Sequence, residues 1–201
     1  FDSVMRAAVS RFPAGHPLRV LEIGCGNGYW LRSAARALGQ PGSKIDLFGM
    51  DITPALIDRA REDLKDLLPP SNLSVCDILI GDIAGRYHLC YAYDVVQQID
   101  PRDHPLVLSR VRPLLERDGR FIVFDRDPLS RHGIRMNVRK FLTRRLGLRL
   151  VPAFYLLARY PSFRRLARLA RGADFEIVDD HRGAGRRALV LQRGEGVTAA
   201  G

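Results

Sequence analysis

Three glycines at alternate positions, Gly24, Gly26 and Gly28, stand between an apolar run, Arg19–Ile23, and a stretch of helical spacing from Tyr29 to Leu38. A strand, a glycine turn and a helix in that order make a ligand-binding turn. Glycine lets the chain reverse sharply and lets backbone N–H groups approach a ligand closely, and the helix N-terminus behind adds partial positive charge. The spacing is not the dinucleotide pattern G-x-G-x-x-G, because the third glycine falls one residue early, and no Gly-Lys-Ser/Thr follows to make a phosphate loop. Asp51 closes the next apolar run, 23 residues beyond Gly28. That is about one helix plus one strand, which puts the carboxylate beside the glycine turn at the same end of a sheet. Cys25, Cys76 and Cys90 have no C-x-x-C spacing. This excludes a disulfide framework, disfavours a zinc ribbon and predicts no metal site.

The elements that must position these residues follow from periodicity. Ile45–Met50 reads as a strand, and Thr53-Pro54 caps a helix running to about Leu68 before Pro69-Pro70. A short strand at Leu73–Cys76 ends at Asp77, and Tyr87–Ala92 is another strand. Pro105 to about Leu115 is helical, Asp118-Gly119 is a turn, and Arg120–Phe124 is a fifth strand. Phe175–Asp179 and Ala188–Gln192 read as a hairpin joined by residues 181–185. Strands alternating with helices predict an α/β fold, a Rossmann-like, doubly wound and mostly parallel sheet with a C-terminal antiparallel hairpin. The 201 residues make a single domain, with 194–201 expected as a flexible tail. The chain opens on Phe1 and not on methionine, so a preceding segment is expected.

The segments resemble the class I S-adenosylmethionine-dependent methyltransferases over most of the chain. Leu21-Glu22-Ile23-Gly24-Cys25-Gly26-Asn27-Gly28 is similar to their first motif, and Phe48-Gly49-Met50-Asp51-Ile52 to the second-strand motif. Cys76-Asp77-Ile78 resembles the segment that holds adenine, Tyr87–Ile99 the fourth-strand segment, and Leu114–Val123 the turn into the fifth strand, with Asp-Arg standing where Pro-Gly is more usual. The resemblance implies S-adenosylmethionine as cofactor and S-adenosylhomocysteine as product. It assigns cofactor binding to Glu22, Gly24, Cys25, Gly26, Gly28, Asp51, Ile52, Asp77, Ile78 and Ala92. Asp51 would accept from the ribose diol and Asp77 from the adenine amine. Asp82 is the rival of Asp77, set aside because it leaves too short a connection to Tyr87.

Methyl transfer from a sulfonium is an in-line displacement, so the protein must mainly align a nucleophile and exclude water. A base is needed only where the nucleophile loses a proton, and no catalytic residue is named. The stretch Tyr91-Ala92-Tyr93-Asp94 lacks the prolines of the element used for planar amino groups, and no cysteine sits in a loop suited to base methylation. Substrate contact is expected from Tyr93, Gln97 and His132, chosen among a set that also includes Tyr91, Gln98 and His104. Glutamine at 97 and 98 replaces the histidine many relatives carry, and glutamine is no base.

The charge is concentrated. Thirteen of the 32 Lys and Arg and one acid, Asp127, fall in residues 126–172, which carry +12 while the remainder carries −2. This basic segment is expected to be a helical cap inserted between the fifth and sixth strands. Ile134, Val138, Phe141 and Leu142 share one helical stripe, with Arg135, Arg139, Lys140 and Arg144 mostly off it. Val151–Leu157 is apolar and aromatic, and a second basic helix starts at Pro161-Ser162-Phe163 with Phe163, Leu166 and Ala170 inward. The cap offers a solvated face, a surface for an anionic or lipid-like small-molecule substrate, or a basic amphipathic face for a membrane surface. Nucleic acid is the less favoured partner, because the aromatic residues sit among aliphatics and not among the arginines. The first expectation is a small-molecule methyltransferase. The alternatives are an RNA methyltransferase using the arginines, or a non-catalytic binding module on the same fold. No apolar run reaches the length of a membrane span and no signal peptide opens the chain, so a cytoplasmic location is expected.

Overall fold

The computed structural model describes residues 1–13, 15–39, 44–147, 150–152, 156 and 158–194. Its strands are β1 (Leu18–Ile23), β2 (Ile45–Asp51), β3 (Leu73–Val75), β4 (Tyr87–Tyr93), β5 (Leu115–Arg126), β6 (Phe175–Gly183) and β7 (Arg186–Arg193). Its helices are α1 (Asp2–Val9), α2 (Tyr29–Leu38), α3 (Pro54–Asp63), α4 (His104–Val111), α5 (Arg131–Leu146) and α6 (Phe163–Gly172).

The strands form one seven-stranded sheet in the order β3-β2-β1-β4-β5-β7-β6. All neighbours are parallel up to β5, and β7 runs antiparallel to both β5 and β6. Apolar side chains on both faces of the inner strands force helices onto both sides. One apolar cluster gathers Val4, Met5 and Ala8 of α1, Leu31 and Ala34 of α2, and Ile57 and Ala60 of α3. The opposite cluster gathers Val107, Leu108 and Val111 of α4 with Phe163, Leu166 and Ala170 of α6. The fold is the doubly wound, Rossmann-like one expected. The strand order reverses direction between β1 and β4, and in such sheets ligands bind in the crevice at the carboxyl ends of those strands.

Several boundaries differ from the sequence reading. The third helix stops at Asp63, short of Leu68, because Leu64 leaves helical φ,ψ and a looser turn carries the chain on to Leu68. Asp118-Gly119 is no turn between elements but lies within β5, where Tyr87 pairs with Leu115 and Leu89 with Arg120. The extra residues are taken up as a bulge. The hairpin strands are longer than expected, and only Ala184-Gly185 separates them, both at positive φ. The charged run Asp179–Arg182 joins β6 because that strand is the sheet edge, where outward charges are tolerated. The tail expected from 194 lies outside the described residues apart from Gly194, as does most of the apolar stretch 151–157.

Helix α5 belongs to neither apolar cluster. The stripe Ile134, Val138 and Phe141 faces solvent, and Lys140, expected off the stripe, is buried. Among the described residues no helix is long and apolar enough to cross a membrane.

Candidate functional site

The three glycines of the turn after β1 are glycine for different reasons. All have positive φ, at 71°, 54° and 83°. A Cβ on Gly24 would overlap Val95, and one on Gly28 would overlap Leu64, so these two positions answer to packing within the chain. A Cβ on Gly26 would meet nothing within 4 Å, so that side of the turn is open to an incoming group. The Gly26 N–H donates to Asp51 Oδ2 and the Thr53 N–H donates to Asp51 Oδ1, both at 2.9 Å. Each carboxylate oxygen thus holds one backbone donor and retains acceptor capacity for another. Asp51 is fixed in place and can accept from two neighbouring hydroxyls.

A cavity of about 620 Å³ opens at this edge of the sheet, between the ends of β1, β2 and β4. Its lining mixes the apolar side chains of Ile52, Leu56, Ile78 and Leu79 with four carboxylates, Asp51, Asp77, Asp94 and Asp100. Ile52 is two-thirds exposed and offers an apolar surface to whatever occupies the cavity. Asp77 Oδ1 accepts from the Leu79 N–H at 2.8 Å. Asp82 lines adjoining grooves with Ile83 and Gly85 and does not reach this cavity. Asp100 is paired with Arg102 and Arg159, and hydrogen bonds from Arg102 hold its carboxyl down at about 2.

Of the expected site residues, Gly24, Asp51, Ile52, Asp77, Ile78 and Tyr93 line the cavity, and Gly26 is tied to it through Asp51. Glu22, Cys25 and Ala92 are buried outside its lining, and Gly28 also lies outside it. Glu22 accepts from the Tyr91 hydroxyl at 3.0 Å, and burial pushes its carboxyl well above the usual range, so the pair supports the turn from beneath. Burial likewise raises the Cys25 and Cys90 thiols, which leaves them unreactive. Gln97 is turned away, its Nε2 donating to the Asp94 carbonyl at 3.2 Å, and Gln98 lines the cavity in its place. His104 is buried with Nε2 3.2 Å from the Val96 carbonyl oxygen. His132 lies in a separate groove with Arg135, Met136 and Arg139.

Four residues that the sequence reading passed over complete the site. Asp94, at φ 58°, takes a two-pronged ion pair from Arg186 of β7, 2.8 Å on each side. The Arg186 guanidinium lies 4.5 Å from the centre of the Tyr93 ring, and Tyr93 stacks on Trp30 with centroids 3.6 Å apart. Asp125, fully buried at the end of β5, accepts from the Gln97 and Arg126 N–H groups at 2.9 and 2.8 Å. Burial pushes its carboxyl up to about 7, against the opposing pull of those backbone donors. Asp125 thereby anchors the turn after β4 that supplies Val95 and Gln98 to the cavity. Asp94 directly follows a strand, and that position is the local signal that could have found it. Its partner stands 92 residues away, and no local signal marks it. Among the described residues no cluster of His, Cys, Asp and Glu could hold a metal ion.

The sequence matches the methyltransferase domain family over residues 21–121. A search of curated proteins finds no match. Among solved structures, the chain is similar to a TehB-like SAM-dependent methyltransferase from Corynebacterium glutamicum, with a TM-score of 0.61 at 17% identity over 94% of this chain and 86% of that one. It is similar to magnesium protoporphyrin IX methyltransferase from Synechocystis with bound SAM, at 0.64 and 18% over 96% and 77% of the two chains. A third likeness is to 1,6-didemethyltoxoflavin-N1-methyltransferase from Burkholderia thailandensis, at 0.63 and 17% over 96% and 76%.

Proposed function

Because the chain belongs to the methyltransferase domain family, we propose that it is an enzyme transferring the methyl group of S-adenosylmethionine to an oxygen, nitrogen or carbon atom of a small acceptor. The single observation that carries this reading is Asp51, held by the Gly26 and Thr53 N–H groups at the mouth of the cavity. That arrangement suits a ribose diol lying against the open side of Gly26. Asp77 and Ile78, in the same lining, suit an adenine, one through its carboxylate and the other through apolar contact.

When bound, S-adenosylmethionine supplies a methyl group already activated by a positive sulfur. The residues around the cavity do the rest. Asp94 and Asp100 carry arginine partners, while among the described residues Asp51 and Asp77 carry none, so the lining keeps net negative charge toward a cationic donor. Asp51 and Asp77 would hold such a cationic donor more strongly than a product without that charge. Tyr93, clamped between Trp30 and Arg186, gives a rigid wall against which a small acceptor can be aligned. The apolar part of the lining, Ile52, Leu56, Ile78 and Leu79, favours an acceptor with an apolar, lipid-like body, and an anionic group on it would have to reach the basic segment 126–172, which lies outside the lining.

Calorimetry with S-adenosylhomocysteine tests the donor assignment. Asp51→Ala should weaken binding by about 1.5–3 kcal/mol, roughly ten- to 150-fold, the scale for hydrogen bonds to a charged group. No heat with the wild type, or equal affinity for nicotinamide dinucleotides, overturns it. Methyl incorporation into RNA overturns the small acceptor.

A further inference from the structure

Helix α5 presents its apolar side chains outward. Ile134 and Val138 are each 52% exposed, Phe141 62% and Leu146 64%. The inner face cannot turn to cover them. Gly133 lies against the backbone of Asp127 and Pro128, with no room for a side chain. Lys140 is buried, its Nζ donating to the Ala158 carbonyl at 2.9 Å and lying 4.0 Å from the centre of the Tyr160 ring. Ser130 caps the helix by accepting from the Gly133 N–H at 2.9 Å, which fixes its rotation at the start.

The exposed stripe is set among cations. On a helical projection Arg131 and Arg145 fall within it, Arg135 and Arg139 along one side and Arg144 along the other. The sixteen residues of α5 contain six Arg or Lys and no acid. Among the described residues no ion pair reaches Arg131, Arg135, Arg139 or Arg145. Aliphatic residues and one phenylalanine, interspersed with and flanked by arginines without ion pairs, match the boundary between anionic headgroups and acyl chains, where arginine stems lie along apolar groups while their heads reach phosphate. They match nucleic acid less well, since bases stack on aromatic platforms.

We propose that α5 seats the protein on an anionic lipid surface, with Ile134, Val138 and Phe141 entering the acyl boundary and Arg131, Arg135 and Arg145 meeting headgroup phosphates. The helix starts at the carboxyl edge of β5, and Ser130 and His132 lie beside Gly185. Gly185 precedes Arg186, which holds Asp94 of the cavity lining. The start of α5 is thereby linked through Gly185 and Arg186 to the cavity lining.

The test is co-sedimentation of the full chain with vesicles of phosphatidylcholine alone and of equal parts phosphatidylcholine and phosphatidylglycerol, at low and high salt. The wild type should prefer the anionic vesicles at least about tenfold, and salt should reduce that preference. Val138→Asp with Phe141→Asp should weaken binding at least about tenfold. Arg131→Gln with Arg135→Gln and Arg145→Gln should remove the preference for anionic lipid. Both variants should keep the wild-type melting transition and S-adenosylhomocysteine affinity, so a folding failure or a failed donor assignment is seen separately. Absence of anionic-vesicle binding, or equal binding by all three proteins, overturns the proposal. So does a dimer abolished by the double aspartate variant with vesicle binding intact, since the stripe then serves a second copy. RNA binding lost in the arginine variant, without vesicle binding, also overturns it.

Discussion

Helices α5 and α6 have the same ingredients and opposite orientations. Both come from the basic segment, and both carry apolar residues at helical spacing beside several arginines. In α6 the apolar side, Phe163, Leu166 and Ala170, is buried against α4 and the sheet, and Arg164, Arg165, Arg168 and Arg171 are exposed. In α5 the apolar side is exposed, and the inner side holds Gly133 and Lys140. The difference teaches that an apolar stripe does not by itself say which way a helix faces. For α6 the stripe finds an open part of the core. For α5 the short link from β5 and the Ser130 cap bring the helix so close to the 127–128 backbone that only the glycine face fits.

The largest effect that could break this contrast is in α6. Phe163 is 2% exposed, within the cluster beneath β5 and β7. Phe163→Ala should destabilise the fold by about 3–5 kcal/mol, the range for a buried phenylalanine. Chemical denaturation would measure it, and a loss below about 1 kcal/mol would mean that α6 is no better seated than α5.

A smaller effect sharpens the account of α5. Helix propensity favours alanine over glycine by about 1 kcal/mol. A Cβ at Gly133 would nevertheless drive into the Asp127 carbonyl and Pro128. Gly133→Ala should therefore destabilise by about 1–3 kcal/mol, the usual range for overpacking. A stabilised variant would show that the glycine face is not what sets the helix orientation.

The sheet and the meeting of the glycine turn with Asp51 were legible because each follows from the local order of strand, turn and helix. Glycines at 24, 26 and 28 and the acid at 51 each follow a strand, and parallel strands bring such ends to one edge. The spacing could not separate the glycines by cause, since Val95 and Leu64, which exclude a side chain at 24 and 28, arrive from distant segments. The surroundings of the residues expected to touch a substrate were less legible for the same reason. Tyr93 lines the cavity, but its supports Trp30 and Arg186 come from α2 and β7. Gln97 has the chemistry of a substrate contact, yet the buried carboxylate of Asp125 holds its backbone and the side chain turns toward Asp94. Tyr91 and His104, also weighed as substrate contacts, are held inside by Glu22 and the Val96 carbonyl.

The smallest expected effect decides what the exposed stripe of α5 is doing in solution. Phe141 is 62% exposed, and exposed substitutions away from special features change stability by no more than about 0.5 kcal/mol. Alanine is also the better helix former, so Phe141→Ala should leave the melting temperature unchanged or slightly raised. The same residue type at 163 should give the several-kilocalorie loss argued above, which makes the pair an internal control on one assay. If Phe141→Ala instead costs more than about 1 kcal/mol, something covers the stripe in the free protein. Melting at several protein concentrations then separates the sources. A concentration-dependent transition means a second copy, whose contribution follows mass action. A concentration-independent one means a segment of the chain itself. With neither, the stripe is bare in water, the state a helix must be in before it can enter a lipid surface.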